Sequence, residues 1–326
     1  MLIIWLGIFI ISLIVLLKAA DSFTGAAEKV GVYLGMPAFI VGVTIIAVGT
    51  SLPELITSIF AVLSGASEIV IGNVIGSNVT NICLGLGLLI LIGGYMKLNK
   101  DLLSVDLPLL IGSAFLILLT CFDGLFTWVD ALLCLFGFAI YIAYTLTTPR
   151  GRKLTKLELQ IKSEMRNIKN KNGKKKKRLD PKLIVTLIVS AIFIFLSAKY
   201  TVESLINLSR MLGVGAEIVA ASAVALGTSL PEIVTGIILV RKKKFEMGIG
   251  TLLGSNIFNA FAIMGIAGLV GTLVVPVNMI YFGIPMLVLS TLMFFFITQD
   301  REITKWEGWL LLIFYAFFIL KLFNLF

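Results

Sequence analysis

"VGTSLPELITS" at residues 48–58 and "LGTSLPEIVTG" at 226–236 each set a proline and an ionisable glutamate in apolar sequence. The first copy is preceded by "FIVGVTIIA" and followed by "IFAVL", both apolar enough for a bilayer interior. Pro53–Glu54 and Pro231–Glu232 are costly residues for such a setting, and their return in a second copy argues against accident.

The rest of the chain fits that setting. Of its 326 residues 59% are hydrophobic and 14% charged, with a mean hydropathy of +1.06. A soluble domain needs more charge to clothe its surface. Apolar runs of roughly 20 residues, the length that crosses about 30 Å of hydrocarbon, recur along the sequence. They are continuous and far longer than barrel strands, which excludes a β-barrel. Ten spans are predicted, at about 2–20, 36–63, 69–95, 105–121, 125–147, 182–208, 214–240, 247–272, 277–298 and 306–325. The first has no basic residue ahead of it, so it reads as a helix rather than a cleaved signal. The expected fold is an all-α polytopic membrane protein.

Lysine and arginine predict the orientation. The connections after spans 1, 3, 5, 7 and 9 hold Lys18, Lys29, Lys97, Lys100, the cations of 150–182, "RKKK" at 241–244, Arg301 and Lys305. Of the 27 Lys and Arg, only Lys199, Arg210 and Lys321 fall on the other side. The expectation is a plasma-membrane protein with both termini outside and the 148–181 connection in the cytoplasm. The net charge of +9 resides mostly in that connection, around "KNKNGKKKKR" at 169–178. Such a run is a solvated, topology-fixing linker first, and a surface for anionic lipid headgroups second. Without aromatic interleaving or a soluble fold it does not point to nucleic acid. Cys83, Cys121 and Cys134 have no metal-ligand spacing, so neither a disulfide framework nor a zinc site is expected.

The sequence is an internal repeat. Adding 178 to a position in the first half gives its partner in the second: Gly49 to Gly227, Glu54 to Glu232, Gly72 to Gly250. The match runs without a gap through "IGNVIGSNVTN" (71–81) and "IGTLLGSNIFN" (249–259). Five spans per half is an odd number, so the second copy enters the membrane from the opposite face. The division is residues 1–147, a basic linker at 148–181, and 182–326. Inverted repeats of this kind characterise secondary transporters that bind substrate near the midplane.

The proline and the glutamate then acquire a use. Proline lacks an N–H and crowds the carbonyl one turn earlier. Pro53 and Pro231 are expected to free carbonyl oxygens around Gly49 and Thr50, and around Gly227 and Thr228. Exposed carbonyls are tolerable in a membrane only where they line a cavity or meet an ion. Of the 18 acidic residues, only Glu54 and Glu232 lie deep within spans, and an intramembrane carboxylate is a functional candidate by default. A lone proline kink is usually packing, but a duplicated Pro–Glu pair related by pseudo-symmetry predicts two carboxylates facing one central point.

The second motif adds Gly72 and Gly76, matched by Gly250 and Gly254, at a spacing that lets helices approach closely. It also adds Ser77 with Ser255, Asn78 with Asn256 and Asn81 with Asn259. Buried amides could simply join helices by hydrogen bonds; facing the carboxylates, they would complete an oxygen cage. With no histidine in the chain, this inventory of hard oxygen ligands suits Ca²⁺ and Na⁺ rather than zinc or copper.

"GTSLPE" followed by "GNVIGSNVTN", and again "GTSLPE" followed by "GTLLGSN…N", resembles the two α-repeats of the Na⁺/Ca²⁺ exchangers of the cation/Ca²⁺ antiporter superfamily. The motifs cover about 47–87 and 225–265, and the ten-span plan covers the whole chain. The resemblance implies that Glu54 and Glu232 are the paired carboxylates of a central Ca²⁺ site, with Thr50 and Thr228 supplying carbonyl and hydroxyl ligands. It implies that the Ala47 and Ala225 carbonyls and the Ser51, Ser229, Ser77 and Ser255 hydroxyls serve flanking Na⁺ sites, and that Asn81 and Asn259 line the middle. It further implies antiport of Ca²⁺ for Na⁺ by alternating access, the ions being substrates and no cofactor being needed. K⁺-dependent members can carry aspartate where this chain has Asn259, and the H⁺/Ca²⁺ branch reads more like "GNAxE" at the first motif. Both departures favour Na⁺ alone as counter-ion, with H⁺/Ca²⁺ or K⁺-dependent exchange the alternative.

Two carboxylates around one ion repel each other. The empty site, at −2, is disfavoured in any occluded state, whereas loading with Ca²⁺ or several Na⁺ neutralises it. Only loaded forms should cross, which enforces exchange. A cation channel is a weaker reading, because channels usually assemble pores from several subunits around an axis, and the expectation here is a monomer. An intramembrane enzyme lacks its machinery: there is no Ser–His, paired-Asp or HExxH arrangement.

Overall fold

A computed structural model of the chain describes residues 2–33, 51–97, 106–147, 180–241, 243, 245–299 and 302–325. Among them are ten helices. The first half has α1 (Leu2–Tyr33), α2 (Leu52–Leu63), α3 (Glu68–Gly93), α4 (Asp106–Thr120) and α5 (Trp128–Thr147). The second has α6 (Pro181–Leu212), α7 (Ala216–Arg241), α8 (Phe245–Phe258 continuing to Val270), α9 (Met279–Thr298) and α10 (Lys305–Leu322). Six contain a stretch long and apolar enough to cross a membrane; α2, α4 and α5 are shorter apolar helices. The first part of the second span and residues 148–179 of the basic connection lie outside the described residues.

Two boundaries differ from the sequence expectation. The first helix does not stop near residue 20 but runs to Tyr33, so Lys18 and Asp21 ride on it instead of lying in a loop. Nothing in 21–33 stops a helix: there is no proline, and a glycine such as Gly25 costs only about 1 kcal/mol. At 1.5 Å per residue its 32 residues reach about 48 Å, beyond the hydrocarbon thickness. The fifth helix starts at Trp128, not 125, because Leu125 and Phe126 enter a strand and Asp130 Oδ2 accepts from the Thr127 N–H at 2.8 Å. That carboxylate supplies the missing partner of the first turn.

The partner of α1 in the second half, α6, has the same length and clear ends. Asp180 Oδ1 accepts from the Lys182 N–H at 3.0 Å, Pro181 occupies the first turn, and Gly213 closes the helix in the left-handed region at φ 64°. α1 and α6 pack along each other through Leu16, Ala19, Ala20, Ile194 and Ala198. Thr201 Oγ1 donates to Ser12 Oγ at 3.0 Å across that seam. The pair touches α2, where Phe60 meets Phe195 edge-on with ring centroids 4.8 Å apart, and α7, where Leu13 packs over Gly227.

The centre belongs to α3 and α8, the most buried of the long helices. α3 lies so close to α7 that a Cβ on Gly72 would stand 2.2 Å from the Glu217 carbonyl oxygen, and one on Gly76 would stand 2.3 Å from that of Ala221. Only glycine fits at either position.

Four two-residue strands report the sense of the halves: β1 (Met96–Lys97), β2 (Leu125–Phe126), β3 (Leu273–Val274) and β4 (Glu302–Ile303). β1 pairs with β4 and β2 with β3, both antiparallel. Adding 177, one fewer than between the motifs, turns β1 into β3 and β2 into β4, so each ladder is the image of the other. β1 precedes α4 and β2 follows it, which puts the ladders at opposite ends of the bundle. The loop after the third helix of one half thus meets the loop after the fourth helix of the other, as oppositely inserted halves require.

Candidate cation-binding site

Ser51 caps the start of α2, Pro53 sits in its first turn, where a missing N–H is harmless, and Glu54 follows. Pro53, Glu54, Thr57, Ser58 and Ala61 form the buried stripe of that helix. In the second half the same motif lies inside α7, which stays helical from Ala225 through Pro231 to Arg241. The proline therefore does not break the helix. It removes the donor for the Gly227 carbonyl, and the helix has a π stretch one turn further back, Ala220–Val224.

Glu54 and Glu232 are 1% and 0% exposed, so both carboxyls are fully inside the protein. They come from opposite halves and stand near enough for their charges to interact, with the Thr228 side chain beside Glu54. Ser51 Oγ of the first half donates to Glu232 Oε1 of the second at 3.3 Å. Each carboxylate is thus approached by a hydroxyl from the other repeat. The Thr228 hydroxyl donates to the Val224 carbonyl at 3.0 Å, and at 3.4 Å to that of Ala225. Ser77, Ser229 and Ser255 are buried. Thr50 and Ala47 lie outside the described residues.

The asparagines occupy the middle. Asn81 lies at the start of the π stretch Thr80–Leu86 in α3, and Asn259 opens the π stretch Asn259–Ile263 in α8. α2 packs against the stretch bearing Asn259, and α7 against the stretch bearing Asn81. π turns are frequent at functional sites because one extra residue re-aims the side chains around it. The amides do join helices: Asn81 Nδ2 donates to Asn256 Oδ1 at 2.9 Å, and Asn259 Nδ2 donates to Asn78 Oδ1 at 3.1 Å.

What remains in this core is oxygen. Glu54 Oε2, Ser77 Oγ, Asn81 Oδ1, Ser229 Oγ and Asn259 Oδ1 are buried without a hydrogen-bond partner among the described residues. Buried polar atoms are nearly always satisfied, and each bare one costs about 1–3 kcal/mol. These five lie on the two repeated motifs, as do Asn73 Oδ1 and Thr80 Oγ1, and they leave oxygens there for something that offers positive charge. The donor chemistry, two carboxylates with hydroxyls and amide oxygens, fits a hard cation.

Two contributors escaped the sequence reading. Asn73 Nδ2 donates to the Glu54 main-chain oxygen and to Ser58 Oγ, both at 3.3 Å, tying α3 to α2 beside the carboxylate. Its counterpart is Thr251, so the repeat gives it no emphasis; the only cue was an amide eight residues ahead of Asn81. Thr57, buried one turn after Glu54, its hydroxyl without a hydrogen-bond partner among the described residues, was legible only as i+3 from the glutamate.

The family model described as "Sodium/calcium exchanger protein" matches residues 4–147 and 182–324. The chain is 34% identical to the sodium/calcium exchanger MaX1 of Methanosarcina acetivorans, over 97% of each protein. It is 30% identical to the membrane protein MJ0091 of Methanocaldococcus jannaschii, over 99% of each. It superposes on a structure of the sodium-calcium exchanger NCX_Mj soaked with 2.5 mM Na⁺ and 0.1 mM Ca²⁺ with a TM-score of 0.62. That match has 28% identity and covers 97% of this chain and 98% of the other.

Proposed function

This chain belongs to the sodium/calcium exchanger protein family, and from that premise we infer that it exchanges Ca²⁺ for Na⁺ across a membrane by alternating access. The observation that carries the reading is the meeting of Glu54 and Glu232, fully buried and from opposite halves, at one place.

Two buried carboxylates around an empty centre repel, and Ca²⁺ between them cancels the charge. Ca²⁺ takes six to eight oxygens at flexible geometry. In this proposal Glu54 and Glu232 carry the charge, Thr50 and Thr228 add carbonyl and hydroxyl oxygens, and the oxygens of Asn81 and Asn259 complete the middle. Na⁺ takes the flanks, at the Ala47 and Ala225 carbonyls and the hydroxyls of Ser51, Ser229, Ser77 and Ser255. An unloaded site leaves −2 in a low-dielectric interior, which opposes occlusion, so the halves exchange conformations only when loaded. That rule couples the two fluxes.

The finer reading is a monomer of the plasma membrane, organised as residues 1–147, a linker at 148–181, and 182–326. Both termini face outside and the basic linker faces the cytoplasm, where its cations suit anionic lipid headgroups. The ions are substrates; no resident cofactor, covalent chemistry or nucleic acid enters the cycle.

Ca²⁺ uptake into proteoliposomes tests the reading. Vesicles loaded with Na⁺ and diluted into Na⁺-free buffer should accumulate Ca²⁺; a pH gradient alone, or K⁺ alone, should not drive uptake. Uptake driven by the pH gradient and indifferent to Na⁺ would replace Na⁺ by H⁺ as counter-ion.

A further inference from the structure

Asn78 and Asn256, one helical turn before Asn81 and Asn259, have no part in the exchange reading above. Both are buried, at 2% and 0% exposure. Asn78 Nδ2 donates to the Asn256 main-chain oxygen at 3.2 Å, and Asn256 Nδ2 donates back to that of Asn78 at 3.1 Å. The side-chain oxygens left over are the ones that accept from Asn81 and Asn259. The two reciprocal Asn78–Asn256 bonds close a ring on which Asn81 and Asn259 each hang by one more, four hydrogen bonds of 2.9–3.2 Å across the pseudo-two-fold axis. Each bond joins one half to the other.

The ring fixes which end of each amide faces where. A carboxamide is planar, with its oxygen and its NH₂ on opposite sides of one carbon. Asn78 gives an N–H to the Asn256 backbone, so its oxygen is the end offered to Asn259. Asn259 answers with its NH₂, which turns its own Oδ1 away from the ring. The same constraint, run through Asn256, turns Asn81 Oδ1 away. Those two oxygens have no hydrogen-bond partner among the described residues. Without the ring either amide could rotate and present N–H groups, which repel a cation.

We propose that Asn78 and Asn256 are positioning residues for transport: each acts across the two-fold, Asn78 on Asn259 and Asn256 on Asn81, to present amide oxygens to the cation. The proposal rests on the exchange reading, in which those oxygens meet the ion. It makes a prediction that packing alone does not: Asn78 is coupled to a residue on the other half's helix, not to Asn81 one turn along its own.

Ca²⁺ affinity of the purified full-length protein, measured with radiolabelled Ca²⁺ on single and double alanine variants, tests this. Asn78→Ala and Asn256→Ala should each weaken Ca²⁺ binding about tenfold, the typical effect of one lost hydrogen bond. In vesicles they should raise the half-saturating Ca²⁺ concentration more than they lower the maximal rate. Asn78→Ala added to Asn259→Ala should cost nothing further, whereas added to Asn81→Ala it should cost its full tenfold; Asn256→Ala should show the reverse pattern. Equal, multiplicative losses in both pairings would overturn the proposal, as would wild-type affinity in Asn78→Ala. The Asn256 pairings form an independent cycle, which decides the matter if Asn78→Ala does not fold. An unsubstituted protein that binds no Ca²⁺ would sink the exchange reading itself, whereas binding with additive cycles would sink only the ring.

Discussion

Gly76 and Gly254 hold matched positions in matched helices, yet their described neighbours differ. A Cβ on Gly76 would collide with the Ala221 carbonyl oxygen at 2.3 Å, whereas one on Gly254 would reach only Tyr141 Oη, at 3.9 Å. Gly72 and Gly250 repeat the contrast: the first presses on Glu217, and the second has nothing within 4 Å among the described residues. The first-half glycines thus seat α7 of the second half, while residues 39 and 43, which match Glu217 and Ala221 by the offset of 178, lie outside the described residues. Inverted halves that exchange conformations must be unequal in any one state. The carboxylates and the asparagine ring, by contrast, are nearly symmetric, as a site reached from both sides should be.

The largest expected effect tests the symmetric part. Glu54→Gln or Glu232→Gln should lower Ca²⁺ exchange on the order of 100-fold or more, since removing one partner of a buried charged set costs about 3–5 kcal/mol. The two variants should be equally impaired in vesicle uptake; normal flux in either would break the symmetry of the site. The next effect is that of protons. Protonation of Glu54 or Glu232 removes negative charge that Ca²⁺ needs, so Ca²⁺ affinity falls as pH falls. A single competing proton limits the loss to about tenfold per pH unit. Uptake that stays flat from alkaline to acidic pH would contradict this.

The close approach at Gly76 predicts an effect of moderate size. Gly76→Ala should lower the thermal midpoint and slow transport, because overpacking of this kind costs about 1–3 kcal/mol. A wild-type midpoint and rate in Gly76→Ala would mean that the close approach of α3 to α7 is not needed. The smallest effect belongs to the basic run. Deleting 169–178 should leave Ca²⁺ affinity within about twofold, because that charge is not part of the site, and surface charges beyond about 10 Å are screened.

Much of this was legible in the sequence because the bilayer and the repeat each impose a strong constraint. Apolar length identified the spans, and the offset of 178 marked Glu54 and Glu232 as a pair before any coordinates. What escaped was set by contact rather than pattern. The end of α1 was missed because hydropathy falls at Lys18 while helix propensity does not. The two-residue strands are too short to leave a period. The π stretches at Asn81 and Asn259 depend on what packs beside them. Asn78 and Asn256 were visible as repeated amides, but only the coordinates say which oxygen each one holds, and Asn73 had no repeated partner to draw notice.

The central claim is that one Ca²⁺ is shared between the halves, and its most direct measurement is Ca²⁺ binding stoichiometry in the purified protein. One Ca²⁺ per chain, lost completely in Glu54→Gln and equally in Glu232→Gln, is the predicted result. Two Ca²⁺ per chain, with each variant retaining one, would mean that each half holds its own ion and would contradict the account.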